Sequence, residues 1–183
     1  MIARSITVPR PNSMLALLSS ALIGSLILAL AARINAPMWP VPMTLQTLAL
    51  VLIGSYAGAR GAALAVTAYL AEGLMGLPVF TAGAGPAYFA GPTGGYLIAF
   101  LPAAWLAGYA SDRGWLRNAF AAFAVFAAAH AIVLAGGVAW LAVTLGATAA
   151  IAGGLLPFLP GALVKSALAT AVTAAARPAK RAA

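Results

Sequence analysis

With 183 residues, 64% of them hydrophobic and 7% charged, the chain has too few polar groups to cover the surface of a soluble domain. A net charge of +8, carried by ten basic residues scattered between apolar segments, is the pattern of membrane orientation rather than of nucleic-acid binding. The lack of cysteine excludes disulfides, thiolate catalysis and zinc–thiolate sites.

The N-terminal segment MIARSITVPRPNS is short, basic and interrupted by Pro9 and Pro11. Met14 to Ala32 then runs for 19 residues without a charge, about 28 Å of helix at roughly 1.5 Å per residue, which spans a hydrocarbon core. A signal peptide is a poor fit, because further apolar segments follow instead of a hydrophilic mature chain. Along this first span Ala21, Ser25 and Ala29 recur at four-residue spacing. Such a stripe of small side chains lets a second helix approach closely, from within the chain or from a partner.

Arg33 to Met43, RINAPMWPVPM, ends the helix through Pro37, Pro40 and Pro42, which lack backbone donors and bias their predecessors to extended geometry. An uncharged run from Thr44 to Gly58, with Gln46 and Thr47 just inside it, predicts a second span. Arg60 and Gly61 are the expected turn into a third, Ala62 to Leu77, which carries Tyr69 and Glu72.

Pro78 to Tyr96, PVFTAGAGPAYFAGPTGGY, is uncharged and rich in glycine and proline. Irregular backbone at membrane depth is tolerated only where protein buries it or where it lines a cavity, so this loop is expected to lid a site. It presents amides, hydroxyls and ring faces but no acid, base or nucleophile. Leu97 to Ala110 predicts the fourth span, and SDRGWLR, with Asp112, a polar connector. Asn118 to about Ala135 predicts the fifth, with Gly136 and Gly137 expected to kink or break the apolar run. PFLPG, 157–161, leads into a sixth helix, Gly161 to Ala176, with Pro160 in or just before its first turn.

The expected fold is therefore a single all-α integral membrane domain, 1–183, of six transmembrane helices with proline- and glycine-rich outer loops and basic cytoplasmic tails at 1–13 and 177–183. With the N-terminus cytoplasmic, the inner segments collect Arg4, Arg10, Arg60, Arg113, Arg117, Arg177, Lys180 and Arg181, and the outer side only Arg33 and Lys165. The connectors around Met38, Gly85 and Pro157 then all face outward. An ammonium at Lys165, near the outer boundary, either snorkels or serves as counter-ion to an anionic ligand. Arg33 has the same choice from a more exposed position.

PMWPVPMTLQTLALVLIG (37–54), AYLAEGLMGLPVF (68–80), GPTGGYL (91–97) and LLPFLPGALVK (155–165) resemble, in this order, the recurring blocks of the BioY family. The resemblance implies a biotin-specific S component of an energy-coupling-factor transporter in the bacterial cytoplasmic membrane. It also implies a transmembrane coupling subunit and two ATPase subunits as partners, the coupling subunit docking on Ala21, Ser25 and Ala29. No P-loop occurs, so no cofactor is expected in this chain and ATP acts only through the partners. A stand-alone homo-oligomeric transporter and an S component for another small vitamin are the alternatives.

For biotin, Lys165 suits the carboxylate. Gln46, Thr44, Thr47 and Thr93 suit the ureido group or order the loops, and Tyr69, Phe80, Tyr88, Tyr96 and Trp39 suit apolar walls or core packing. The family pattern G-D-x-x-K reads here as Gly161, Ala162, Leu163, Val164, Lys165, so a carboxylate is missing one turn before the lysine. An enzyme is disfavoured, since one histidine, His130, and two acids cannot easily assemble a triad or metal site. His130 is expected to be buried and bonded to a neighbouring helix, Glu72 to bond loop amides or act in the membrane, and Asp112 to lie at the surface.

Overall fold

The structure, a computed structural model, describes residues 14–176. The expected basic tails, 1–13 and 177–183, lie outside the described residues. The elements in order are α1 (Met14–Arg33), β1 (Asn35–Ala36), β2 (Met43–Thr44), α2 (Gln46–Leu74), α3 (Gly85–Ala90), α4 (Gly94–Asp112), a 3₁₀ turn (Trp115–Arg117), α5 (Ala119–Leu145), α6 (Ala147–Gly154) and α7 (Phe158–Ala175). Four of them, α1, α2, α5 and α7, are long and apolar enough to cross a membrane.

Helix α2 is two helices in succession, because Gly58 adopts φ 71° and ψ 178° in its middle. That left-handed φ suits glycine, which has no Cβ to clash. The turn therefore falls at Gly58, not at Arg60 and Gly61 as expected, and residues 59–74 return alongside 46–57. Breaking a helix leaves carbonyls orphaned before the break and amides after it. The end of α4 supplies both partners: the Ser111 hydroxyl donates to the Ser55 carbonyl at 2.6 Å, and Asp112 Oδ2 accepts from the Ala59 amide at 3.0 Å. Asp112 lies at the surface as expected and in addition caps the returning helix. Gly108 allows this approach, since a methyl there would lie 2.5 Å from the Ala59 nitrogen.

Two apolar helices in lipid gain little from the hydrophobic effect, so close packing of small residues must hold them. The core is accordingly rich in fully buried alanines, among them Ala62, Ala65, Ala103, Ala104 and Ala107. Gly136 and Gly137 serve the same purpose and do not break α5, which is continuous to Leu145. A methyl on Gly136 would lie 2.7 Å from the Ala99 side chain, and one on Gly137 would meet the Tyr96 ring. Asn118, whose Oδ1 accepts from the Ala121 amide at 3.1 Å, caps the start of α5.

Two residues of the stripe on α1 turn inward, and Ala21 is half-buried. Ser25 is buried and donates to Glu72 Oε1 at 2.8 Å, while Ala29 packs against the core. Ser25 therefore serves internal packing, and Glu72 bonds a helix rather than loop amides. The exposed face of α1 carries Leu22, Ile23, Leu26 and Leu30 instead. The loop at 78–96 is also more ordered than expected, with α3 within it and Gly94, Gly95 and Tyr96 forming the first turn of α4. The sixth predicted helix starts earlier, at Phe158, with Pro160 inside its first turn.

Candidate binding site

All three proline- and glycine-rich connectors meet at the end of the bundle opposite Gly58. Between them lies a pocket of about 60 Å³ to which the first contributes Val41 and Pro42, the second Phe80, Thr81 and Tyr88, and the third leads into Phe158. The nine residues singled out from sequence as substrate contacts, Lys165, Gln46, Thr44, Thr47, Tyr69, Phe80, Tyr88, Thr93 and Tyr96, all line it. Trp39 does not; it is 82% exposed. Nor does Arg33, whose guanidinium donates to the Pro78 carbonyl and ties the lid loop to the end of α1.

The polar floor is assembled where the antiparallel ribbon, with Asn35 paired to Thr44, delivers the chain into α2. Thr44 accepts from the Gln46 amide at 3.3 Å and donates to Gln46 Oε1 at 3.1 Å, the local bonding that threonine offers at a helix start. Gln46, although buried, is held on three sides. Its Nε2 donates to the Tyr69 hydroxyl at 2.6 Å, and its Oε1 also accepts from Thr81 at 3.5 Å. Tyr69 in turn donates to the Val79 carbonyl at 3.3 Å. Such a chain of satisfied groups fixes which atoms of Gln46 face the pocket.

Lys165 reaches the same floor from α7. Its Nζ donates to the Thr44 carbonyl at 2.6 Å and to Thr47 Oγ1 at 3.3 Å. Both partners are neutral oxygens, so the ammonium is oriented but its charge is not compensated by them. A charge held this way within a membrane span favours a bound anion.

The walls are aromatic. Phe80 stacks on Tyr88 with centroids 5.1 Å apart and meets Tyr69 edge-on at 5.4 Å. It lies flat on Gly73, where a methyl would overlap its ring. Tyr96 donates to the Gly154 carbonyl at 2.7 Å and faces Phe158 at 6.1 Å, so that α4, α6 and α7 are joined at the pocket. Trp140 Nε1 donates to the Gly91 carbonyl at 2.9 Å and anchors the far end of the lid loop to α5.

Sequence reasoning did not assign Thr81, Phe100, Val133 or Phe158 to the pocket, although they line it. Thr81 and Phe158 sit inside the connectors already singled out; Phe100 and Val133 lie in uniformly apolar helices and gave no signal. His130 was expected to be buried and bonded across helices, and it is: Nδ1 lies 3.1 Å from Ser166 Oγ on α7. It also lines the pocket.

Among the described residues, apolar helices of membrane length surround a pocket with aromatic walls, a hydrogen-bonding floor and the Lys165 ammonium, which is the architecture of a membrane protein with a small-ligand pocket. The chain matches the model of the BioY family over residues 7–182 and belongs to that family. It is 36% identical over 131 residues to the biotin transporter BioY2 of Lactococcus lactis subsp. cremoris, covering 71% of each chain. It is 35% identical over 145 residues to a probable biotin transporter BioY of Pyrococcus horikoshii, covering 79% of this chain and 85% of that one. Its fold superposes with TM-score 0.75 and 30% identity on a crystal structure of the S-component for biotin from an ECF-type ABC transporter, covering 87% and 89% of the two chains.

Proposed function

We propose that this chain binds biotin and carries it across the cytoplasmic membrane as the S component of an energy-coupling-factor transporter. Lys165, oriented by Thr44 and Thr47, takes the carboxylate, other polar atoms of the lining meet the ureido group, and Phe80, Tyr88 and Tyr96 flank the apolar ring and chain. The observation that carries the reading is Lys165, aimed into an aromatic pocket with only a carbonyl and a hydroxyl as partners.

In this reading the chain crosses the membrane six times, with 46–57 and 59–74 as separate crossings on either side of the Gly58 break. Both termini lie in the cytoplasm, as the distribution of basic residues favours, and the pocket opens outward. A coupling subunit and two ATPase subunits supply the energy. Docking on the exposed leucines of α1 fits better than docking on Ser25, which is buried against Glu72.

Equilibrium binding of biotin to the detergent-purified chain tests the reading directly. Saturable binding by the chain alone, with uptake of labelled biotin into cells that depends on co-produced ATPase partners, is the expected result. A folded chain that binds no biotin would overturn the substrate, and uptake without partners would overturn the coupling.

A further inference from the structure

Ala162, where the resembled pattern has an aspartate, lines the pocket without a side-chain acceptor, and His130 on α5 lines the same pocket as well as a groove beside Ser166. His130 Nδ1 lies 2.8 Å from the Phe126 carbonyl, which can only accept. The proton of the neutral ring therefore sits on Nδ1. Ser166 agrees with this assignment: its hydroxyl donates to the Ala162 carbonyl at 2.8 Å, leaving its oxygen to accept from Nδ1 at 3.1 Å. The other ring nitrogen, Nε2, is then a bare lone pair.

His130 is 4% exposed, and Nε2 is the buried side-chain atom with no hydrogen-bond partner among the described residues. Buried polar atoms in folded proteins are paired, and one left over calls for a ligand or an ordered water. The residue lines the pocket together with Lys165, Gln46 and Ala162. Its neighbours Phe126, Ser166 and Ala162 use their polar atoms on Nδ1 and on each other, and the Lys165 ammonium, which also lines the pocket, donates to Thr44 and Thr47.

We propose that His130 Nε2 accepts a hydrogen bond from an N–H group of the ligand and so supplies the acceptor that Ala162 lacks. The proposal rests on the biotin reading, in which the donor is one of the two ureido N–H groups of the ligand. It makes His130 a specificity-determining residue: a ligand with oxygen in place of that N–H would bring one lone pair against another.

The test compares biotin with its two cyclic-carbamate analogues, in which one or the other ureido N–H is replaced by oxygen, on the full-length chain in detergent. The variants are His130→Phe, which keeps a flat ring, His130→Gln, which keeps an acceptor, and His130→Phe combined with Ala162→Asp. The wild-type chain is expected to bind one analogue about tenfold more weakly than biotin. His130→Phe should lose about that factor for biotin and most of the discrimination between the two ligands, which a merely structural histidine would not control. His130→Gln should retain part of the discrimination, and Ala162→Asp should restore biotin binding in the His130→Phe background.

Wild-type chain that binds biotin tightly but discriminates against neither analogue would overturn the proposal and leave the biotin reading intact. So would His130→Phe with discrimination undiminished. Folded wild-type chain that binds no biotin would overturn the biotin reading and this inference with it. If His130→Phe does not fold, the wild-type analogue series and His130→Gln decide the matter.

Discussion

At the Gly58 end of the bundle the Asp112 carboxylate accepts from a backbone amide and the Ser111 hydroxyl meets a backbone carbonyl, so both ends of the broken helix are satisfied. At the opposite end the Lys165 ammonium is held by two neutral oxygens, and an imidazole nitrogen is left without a partner among the described residues. The acid closes a gap in the backbone; the base is placed in a cavity. A charge whose hydrogen-bonding directions are met by backbone groups orphaned at a break is part of the scaffold. A charge oriented into a pocket by neutral atoms retains its demand for an opposite charge.

That contrast can be broken most sharply at Lys165. Replacing it with alanine should weaken biotin binding roughly 30-fold or more, since one partner of a desolvated charge pair is lost. Biotin with its carboxylate amidated should bind the wild type as poorly and the variant no worse, a non-additivity readable from four titration curves. Binding indifferent to both changes would remove Lys165 from the site.

Gly73→Ala probes the wall rather than the charge. The new methyl overlaps the Phe80 ring and forces it off Tyr69 and Tyr88. A cost of about 2 kcal/mol in stability, seen as a lower melting temperature in detergent, should accompany roughly tenfold weaker biotin binding. Unchanged binding would mean that Phe80 packs the loop without shaping the pocket.

The smallest effect on affinity is expected at the other end. Asp112→Ala leaves the Ala59 amide unpaired at the Gly58 break and should cost about 1 kcal/mol of stability, as loss of a helix cap does. Biotin affinity should stay within about twofold of the wild type. If Asp112→Ala instead weakened binding as strongly as Lys165→Ala, the division between a scaffold end and a binding end would fail.

Much of the binding end was legible because polar residues are scarce in this chain. In a sequence with 7% charged residues, each threonine, glutamine or lysine beside a proline-rich connector stands out, and the candidates chosen on that ground line one pocket. The helix count was harder to read from glycines, which have two uses that look alike in sequence. Gly58 ends a helix through a positive φ, whereas Gly136 and Gly137 let a neighbouring helix touch a continuous one. The exact turn at Gly58 and the unbroken α5 follow from what packs opposite, and that information is not local. The role of Asp112 was hidden for the same reason, because its partner is 53 residues away along the chain. The small-residue stripe on α1 announced a close contact but not with whom; Glu72, on the returning half of α2, is the answer for Ser25.

The seam between α4 and α5 has a consequence for selectivity. Gly95, Ala99 and Gly136 meet there almost backbone to backbone. Glycine and alanine have no rotamers to lose on burial, so this contact forms without the ordering entropy that long side chains would have added. For the same reason it has no rotamers to yield. On this side of the pocket the separation of α4 and α5 is therefore set by main-chain geometry, while the lining itself is made by their side chains Tyr96, Phe100, Val133 and Leu134. Adaptation to a different ring falls to those side chains and to the lid loop, which Arg33, Tyr69 and Trp140 tie down by hydrogen bonds to its carbonyls.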